Sequence, residues 1–128
     1  MTKTGGDKRT ILICDDEEDI LTVFSEVLKS DFNVLTADSG QACIRIFAEQ
    51  EKRGNRIDVL LLDYKLGDML GDEVAMKLRG VVGLKIVLVT AYELDSGFVE
   101  DMKKKGLIAD AVKKPISLKE LIPRLKTI

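Results

Sequence analysis

Histidine and tryptophan are absent from the 128 residues, and cysteine occurs only twice. Without histidine the chain can build neither a Ser-His-Asp triad nor a histidine-based metal site, and it carries no phosphohistidine of its own. Two cysteines, Cys14 and Cys43, are too few for a disulfide framework or a paired-cysteine metal site. Each stands among apolar neighbours and reads as a buried free thiol. Basic charge is not in excess either. Lys+Arg 20 against Asp+Glu 22 leave a formal net charge of −2 and a pI near 5.3. That composition gives no electrostatic footprint for direct nucleic-acid binding. The apolar runs, such as Ile86–Val89, are strand-sized and far short of the ~18 residues of a membrane span. Met1–Asp7 has no apolar core and is no signal peptide. A cytoplasmic domain that makes no use of a membrane is expected. Glycine patterns for dinucleotides or for a P-loop are also missing.

What is present is enough for one domain, since 45% hydrophobic and 33% charged residues in a chain of this length suffice for a single core. Residues 1–8 read as a disordered leader and 9–128 as the domain. Thr10–Cys14 is a continuous apolar run that stops at Asp15 and Asp16, the pattern of a strand buried on both faces. From Glu18 to Lys29, Ile20, Leu21, Phe24, Val27 and Leu28 recur at helical spacing. Glu17 and Glu18 favour that helix start through its dipole. Asn33–Ala37 is a second strand. Ser39 and Gly40 open a helix with Ala42, Cys43, Ile46 and Phe47 on its apolar side. Ile57–Leu62 is a third strand ending in Asp63. A Gly/Asp-rich loop, Lys65–Gly71, leads to a short helix, Asp72–Arg79. Lys85–Val89 ends at Thr90, Ser96–Lys105 is helical, and Asp110–Val112 ends at Lys113, Lys114 and Pro115. Ser117 caps a last helix that contains Pro123, which removes one backbone hydrogen bond and favours a bend. Lys103–Lys105 reads as a solvated helix end. Five alternating strand and helix units imply a parallel sheet covered on both faces, with any ligand beyond the carboxyl ends of its strands.

The chemistry lies where those strands end. Asp15 and Asp16, then Asp63, Thr90 and Lys114 put three carboxylates, a hydroxyl and an ammonium at one sheet edge. Crowded carboxylates repel unless a cation joins them. An all-oxygen cluster suits a hard cation, Mg²⁺ or Mn²⁺, which would leave coordination sites for a phosphate oxygen. Carboxylate nucleophile, cation, lysine and threonine together make a phosphoryl-transfer site. The bland alternative is that Lys114 only neutralises the acidic cluster.

These residues resemble a response-regulator receiver domain, from Arg9 to Lys126. The matching features are Asp15-Asp16 after strand one, Asp63 after strand three with Gly71 eight residues on, Thr90-Ala91 after strand four and Lys114-Pro115 after strand five. The resemblance implies a flavodoxin-like three-layer α/β/α sandwich with a five-stranded parallel sheet of order 2-1-3-4-5. It implies Asp63 as phospho-acceptor from a histidine kinase or histidine phosphotransfer protein. Asp16, Asp63 and the Lys65 carbonyl would ligate the cation, and Asp15 would do so directly or through water. Thr90 and Lys114 would contact the phosphoryl group. A cis Lys114–Pro115 peptide is implied as well. The signal would pass to a downstream protein target by contact, and a homodimer stays open. The sequence departs from the family at Gly67, where proline is usual, and at Ala111, three residues before Lys114, where an aromatic ring is usual. The segment from Thr90 to Lys114 is also slightly long. With no ring to swing, Tyr92 and the strand 4–helix 4 segment are the nearest candidates to fill the space.

Two other classes compete. An aspartyl-phosphate phosphatase would want an acid two residues after the nucleophile, where Lys65 stands. A binding module would never take phosphate on Asp63. No output domain follows within the 128 residues, so a stand-alone receiver and a piece of a longer regulator or hybrid kinase are both expected possibilities.

Overall fold

The structure is a computed structural model and describes residues 8–91, 93–115 and 117–128; the leader, apart from Lys8, and Tyr92 lie outside them. The elements are β1 (Thr10–Cys14), α1 (Glu18–Leu28), β2 (Asn33–Ala37), α2 (Gly40–Lys52), β3 (Val59–Asp63), α3 (Gly71–Lys77), β4 (Lys85–Thr90), α4 (Ser96–Lys104), β5 (Asp110–Lys113) and α5 (Leu118–Thr127). The strands pair in parallel in the order β2-β1-β3-β4-β5.

The side-chain period of two explains how continuous apolar runs serve two cores. Leu12, Cys14, Leu60, Leu62, Ile86 and Leu88 face one side, where Ala42, Cys43 and Phe47 of α2 and Val74 and Ala75 of α3 meet them, with Met102 of α4. Ile11, Ile13, Val59, Leu61, Val87 and Val89 face the other, under Leu21, Phe24 and Leu28 of α1 and Leu121 and Leu125 of α5. Two helices therefore cover one face and three the other. Both thiols are buried in the first core, as their apolar settings suggest. A hydrogen bond with Cys43, reinforced by burial, pushes the Cys14 thiol far up, so it stays protonated at neutral pH.

Ser39 and Ser117 cap their helices, accepting from the N–H groups of Ala42 and Lys119 at 3.0 and 3.2 Å. Asp95, which the hydrophobic pattern does not single out, caps α4 through Gly97 N–H at 2.7 Å. Most boundaries fall within one residue of the sequence reading, and two differ by two residues. β3 starts at Val59 rather than Ile57, opposite Ile11; Asp58 just before it bonds Thr10 O and Lys85 N–H through its backbone and takes Thr10 N–H on its carboxylate at 2.8 Å, closing that end of the ladder. α3 closes at Lys77, since Leu78 already leaves helical geometry with ψ near 6°. α5 continues through Pro123 to Thr127, with the Thr127 hydroxyl donating to Pro123 O at 3.2 Å.

The ends of the domain are clamped together. The Arg9 guanidinium donates to Leu125 O at 2.6 Å and Ile128 O at 3.0 Å, satisfying carbonyls at the end of α5, and lies over the Phe32 ring at 5.4 Å. Arg9→Ala is expected to cost about 1–2 kcal/mol. The check is a lower denaturant midpoint at an unchanged slope, and an unchanged midpoint would show the clamp to be idle.

Candidate functional site

Each site residue is delivered by a strand whose ladder runs one step past its last apolar side chain. Asp15 N–H donates to Ala37 O at 3.1 Å, Tyr64 N–H to Val89 O at 3.2 Å and Lys114 N–H to Thr90 O at 2.7 Å. These bonds hold Asp15, Asp63 and Lys114 at the carboxyl edge of the sheet. Asp15, Asp16 and Asp63 each present a carboxylate oxygen within 4.8 Å of the others, a group able to hold a metal ion. Lys114 Nζ donates to Asp15 Oδ2 at 2.9 Å and stands 3.5 Å from Asp63 Oδ1. Asp15 is almost fully buried, and its second oxygen accepts Glu17 N–H at 2.9 Å, so its charge is satisfied on both sides.

Lys113, the last residue of β5, and Lys114 point apart, as strand alternation requires. Lys113 pairs with Glu93 on the surface, while Lys114 enters the cluster. Thr90 is buried at the end of β4 in register with Lys113. Lys65 is exposed and lines, with Asp16, Asp63, Asp68 and Lys114, a cleft of about 640 Å³. The Lys114–Pro115 peptide is cis.

The electrostatics are those of an acidic site short of positive charge. Burial, first, pushes the Asp63 carboxyl up; Lys114 opposes it and the charges of Asp15 and Asp16 add to it, leaving the group at about 6. Burial works against the Lys114 ammonium, but the Asp15 hydrogen bond and the charges of Asp63 and Asp15 outweigh it and hold the group above its ordinary value.

Glycine and a small side chain shape the surroundings. Gly67 has φ of 86°, a conformation closed to proline, so this turn differs in geometry from one built on proline. Beside Thr90, Ala111 lines a cavity of about 250 Å³ together with Leu94, Val99 and Lys113. Lys103 pairs with Glu100 and Asp110, and Lys105 with Asp101, so much of that basic run is engaged at the surface. The pattern of strand ends did not reveal Asp68, whose carboxylate joins the loop after β3 to the start of α2. No local signal marks it, because its partners lie 27 and 28 positions away.

This chain belongs to the response regulator receiver domain family, whose pattern matches residues 11–126. It is 35% identical over 133 aligned positions to the probable transcriptional regulatory protein TcrX of Mycobacterium tuberculosis, across 100% of this chain and 53% of that protein. It is 33% identical to a cyclic di-GMP phosphodiesterase of Thermotoga maritima, across 91% of this chain and 29% of that one. The chain thus spans about half or less of the curated relatives it matches. Among solved structures it is similar to the response regulator protein TrrA of Thermotoga maritima in complex with Mg²⁺ and BeF, with a TM-score of 0.73, 28% identity and coverage of 92% of this chain and 96% of that one. No helix among the described residues is long and apolar enough to cross a membrane.

A carboxyl raised in the folded state binds a proton more readily there than in the unfolded chain. Its ionised form therefore costs stability above the folded value, and the cost vanishes below the ordinary value of 3.8. Asp63→Asn, neutral and of similar shape, is expected to stabilise the metal-free protein by about 1–3 kcal/mol at pH 8. The gain should shrink as pH falls through about 6 and close near 4. Thermal unfolding in EDTA across that range checks it, and equal stability at pH 8 would refute the burden placed on Asp63.

Proposed function

We propose that this receiver accepts a phosphoryl group on Asp63 from a phosphohistidine of a partner kinase or phosphotransfer protein, and relays the change by protein contact. The observation that carries this reading is the meeting of three carboxylates within 4.8 Å with an ammonium 3.5 Å from Asp63. An Asp63 oxygen attacks phosphorus, the P–N bond breaks, and the donor imidazole leaves with its electron pair and takes up a proton. The donor set is hard oxygen only, which fits Mg²⁺ or Mn²⁺ held by Asp16, Asp63 and the Lys65 carbonyl, with Asp15 direct or through water. When bound, such a cation supplies positive charge against the carboxylates and the incoming phosphate. Lys114 adds a second positive charge that is already in place, and the Thr90 hydroxyl can donate to a phosphoryl oxygen. The chain catalyses only its own phosphorylation and dephosphorylation, and acts in the cytoplasm.

Acetyl phosphate with Mg²⁺ should add one phosphate by intact mass. Asp63→Asn should abolish the uptake. Lys114→Ala should cripple phosphorylation or its structural consequence, while Lys113→Ala stays mild because that ammonium faces Glu93. Undiminished uptake in Asp63→Asn would overturn the assignment.

The readout takes a route of its own. A methyl at Ala111 cannot act as a rotating ring, and the cavity it borders connects Thr90 to Leu94 and Val99. A hydrogen bond from Thr90 to phosphate, at about 1.5–3 kcal/mol, would bias the segment that joins β4 to α4 between two arrangements. Structures with and without beryllofluoride should differ over residues 91–97, and superimposable segments would sink this route.

A further inference from the structure

The loop between β3 and α3 is fastened at its tip to a helix it does not adjoin in sequence. Asp68 Oδ1 accepts the N–H of Gly40 and Oδ2 accepts the N–H of Gln41, both at 2.9 Å. Ser39 Oγ takes the next N–H, that of Ala42. The first turn of α2 is thus satisfied jointly by its own cap and by a residue from another loop. The negative charge rests at the positive end of the helix dipole, and the Gln41 and Gly40 N–H groups hold the Asp68 carboxyl below its ordinary value. Packing repeats the contact. A Cβ on Gly40 would lie 2.2 Å from Met69 Cγ and 2.3 Å from its sulfur, so the Met69 side chain packs directly over residue 40.

The rest of the loop transmits that hold. Lys65 and Leu70 form an antiparallel bridge, and Leu66 N–H donates to Met69 O at 3.2 Å. Leu66 is buried, and the chain reverses at Gly67. Lys65 therefore stands at the base of one short closed turn and Asp68 at its tip.

We propose that Asp68 is a positioning residue for the cation. By clamping this turn to α2, it fixes the backbone at Lys65, whose carbonyl the function proposed above assigns to Mg²⁺. The inference rests on that reading. Both Asp68 oxygens are taken by N–H groups of α2, so Asp68 acts through the turn, as outer partners do when they orient ligands.

The test is calorimetric titration of the full chain with MgCl₂, beside melting temperatures and acetyl phosphate uptake, for the unaltered protein, Asp68→Ala, Asp68→Asn and Ser39→Ala. Ser39→Ala also frees an N–H in the first turn of α2 but leaves the loop fastened, so it separates helix stability from positioning. Asp68→Ala should weaken Mg²⁺ binding about 10-fold, Asp68→Asn by less, and Ser39→Ala by under about twofold. Ser39→Ala should nonetheless lower the melting temperature. If Asp68→Ala melts too low to assay, Asp68→Asn against Ser39→Ala carries the comparison. Equal Mg²⁺ affinities for the Asp68 and Ser39 variants would overturn the positioning role alone, provided the unaltered protein binds Mg²⁺ and takes phosphate. An unaltered protein that binds no Mg²⁺ would overturn the functional reading and this inference with it.

Discussion

The ammonium of Lys114 lies 2.9 Å from Asp15 and 3.5 Å from Asp63, and the edge of the sheet is organised around it. Asp15 is 3% exposed, and a carboxylate so buried cannot stand unpaired. Its partner comes from 99 positions away, after β5, across a sheet in which β3 and β4 lie between. The long four-carbon stem of lysine allows one compact charge to cover that span and serve two carboxylates. A single ammonium against three carboxylates still leaves the cluster negative, and Asp63 resists ionisation first because it is buried and then because Asp15 and Asp16 repel its charge. The imbalance is stored in the fold and costs it stability, as sites built for chemistry commonly do.

That cluster can be assembled because a parallel sheet delivers every strand's carboxyl end to the same edge. The apolar runs set the sheet, and the polar residue that ends each run sets the site. The supporting loops are then fixed by polar contacts of a different kind. Asp68 meets the start of α2, Asp95 caps α4, and Asp58 borrows a ladder position from β1. In each case a short carboxylate satisfies N–H groups that would otherwise lack a partner, so acidic residues away from the cluster are structural rather than spare.

The distinction also explains what could be read from the chain alone. The strands, the two-sided core, and Asp15, Asp16, Asp63, Thr90 and Lys114 at one sheet edge follow from periodicity and from what terminates each run, whereas the strand order comes from the family resemblance. The bounds of β1 and β2 agree with their hydrophobic pattern because nothing competes there. The start of β3 does not: Ile57 is apolar and buried, yet the paired register begins only at Val59 and the Asp58 carboxylate takes Thr10 N–H at that end. Contacts such as Asp68 to Gly40, Lys113 to Glu93 and Arg9 to Leu125 span 28, 20 and 116 positions and carry no periodic trace. They depend on loop geometry, which single residues do not encode locally.

The space beside Ala111 has a counterpart in how the neighbouring helix is held. Three residues of α1 are buried and four of α2, but in α4 only Met102 is. A helix with one fully buried side chain, and with Phe98 and Val99 only partly buried against the core, has less packing energy to lose on moving than the well-buried helices, which would open voids. The ion pair between Lys113 and Glu93 that spans this region is exposed, with side chains 53% and 83% accessible, and pairs of that kind hold weakly. A ring at position 111 would have added contact area against Thr90 and stiffened the region. With a methyl there, the helix that follows the buried threonine is also one with few fully buried side chains, which is where a change at Thr90 would find room to move if the proposed readout runs that way.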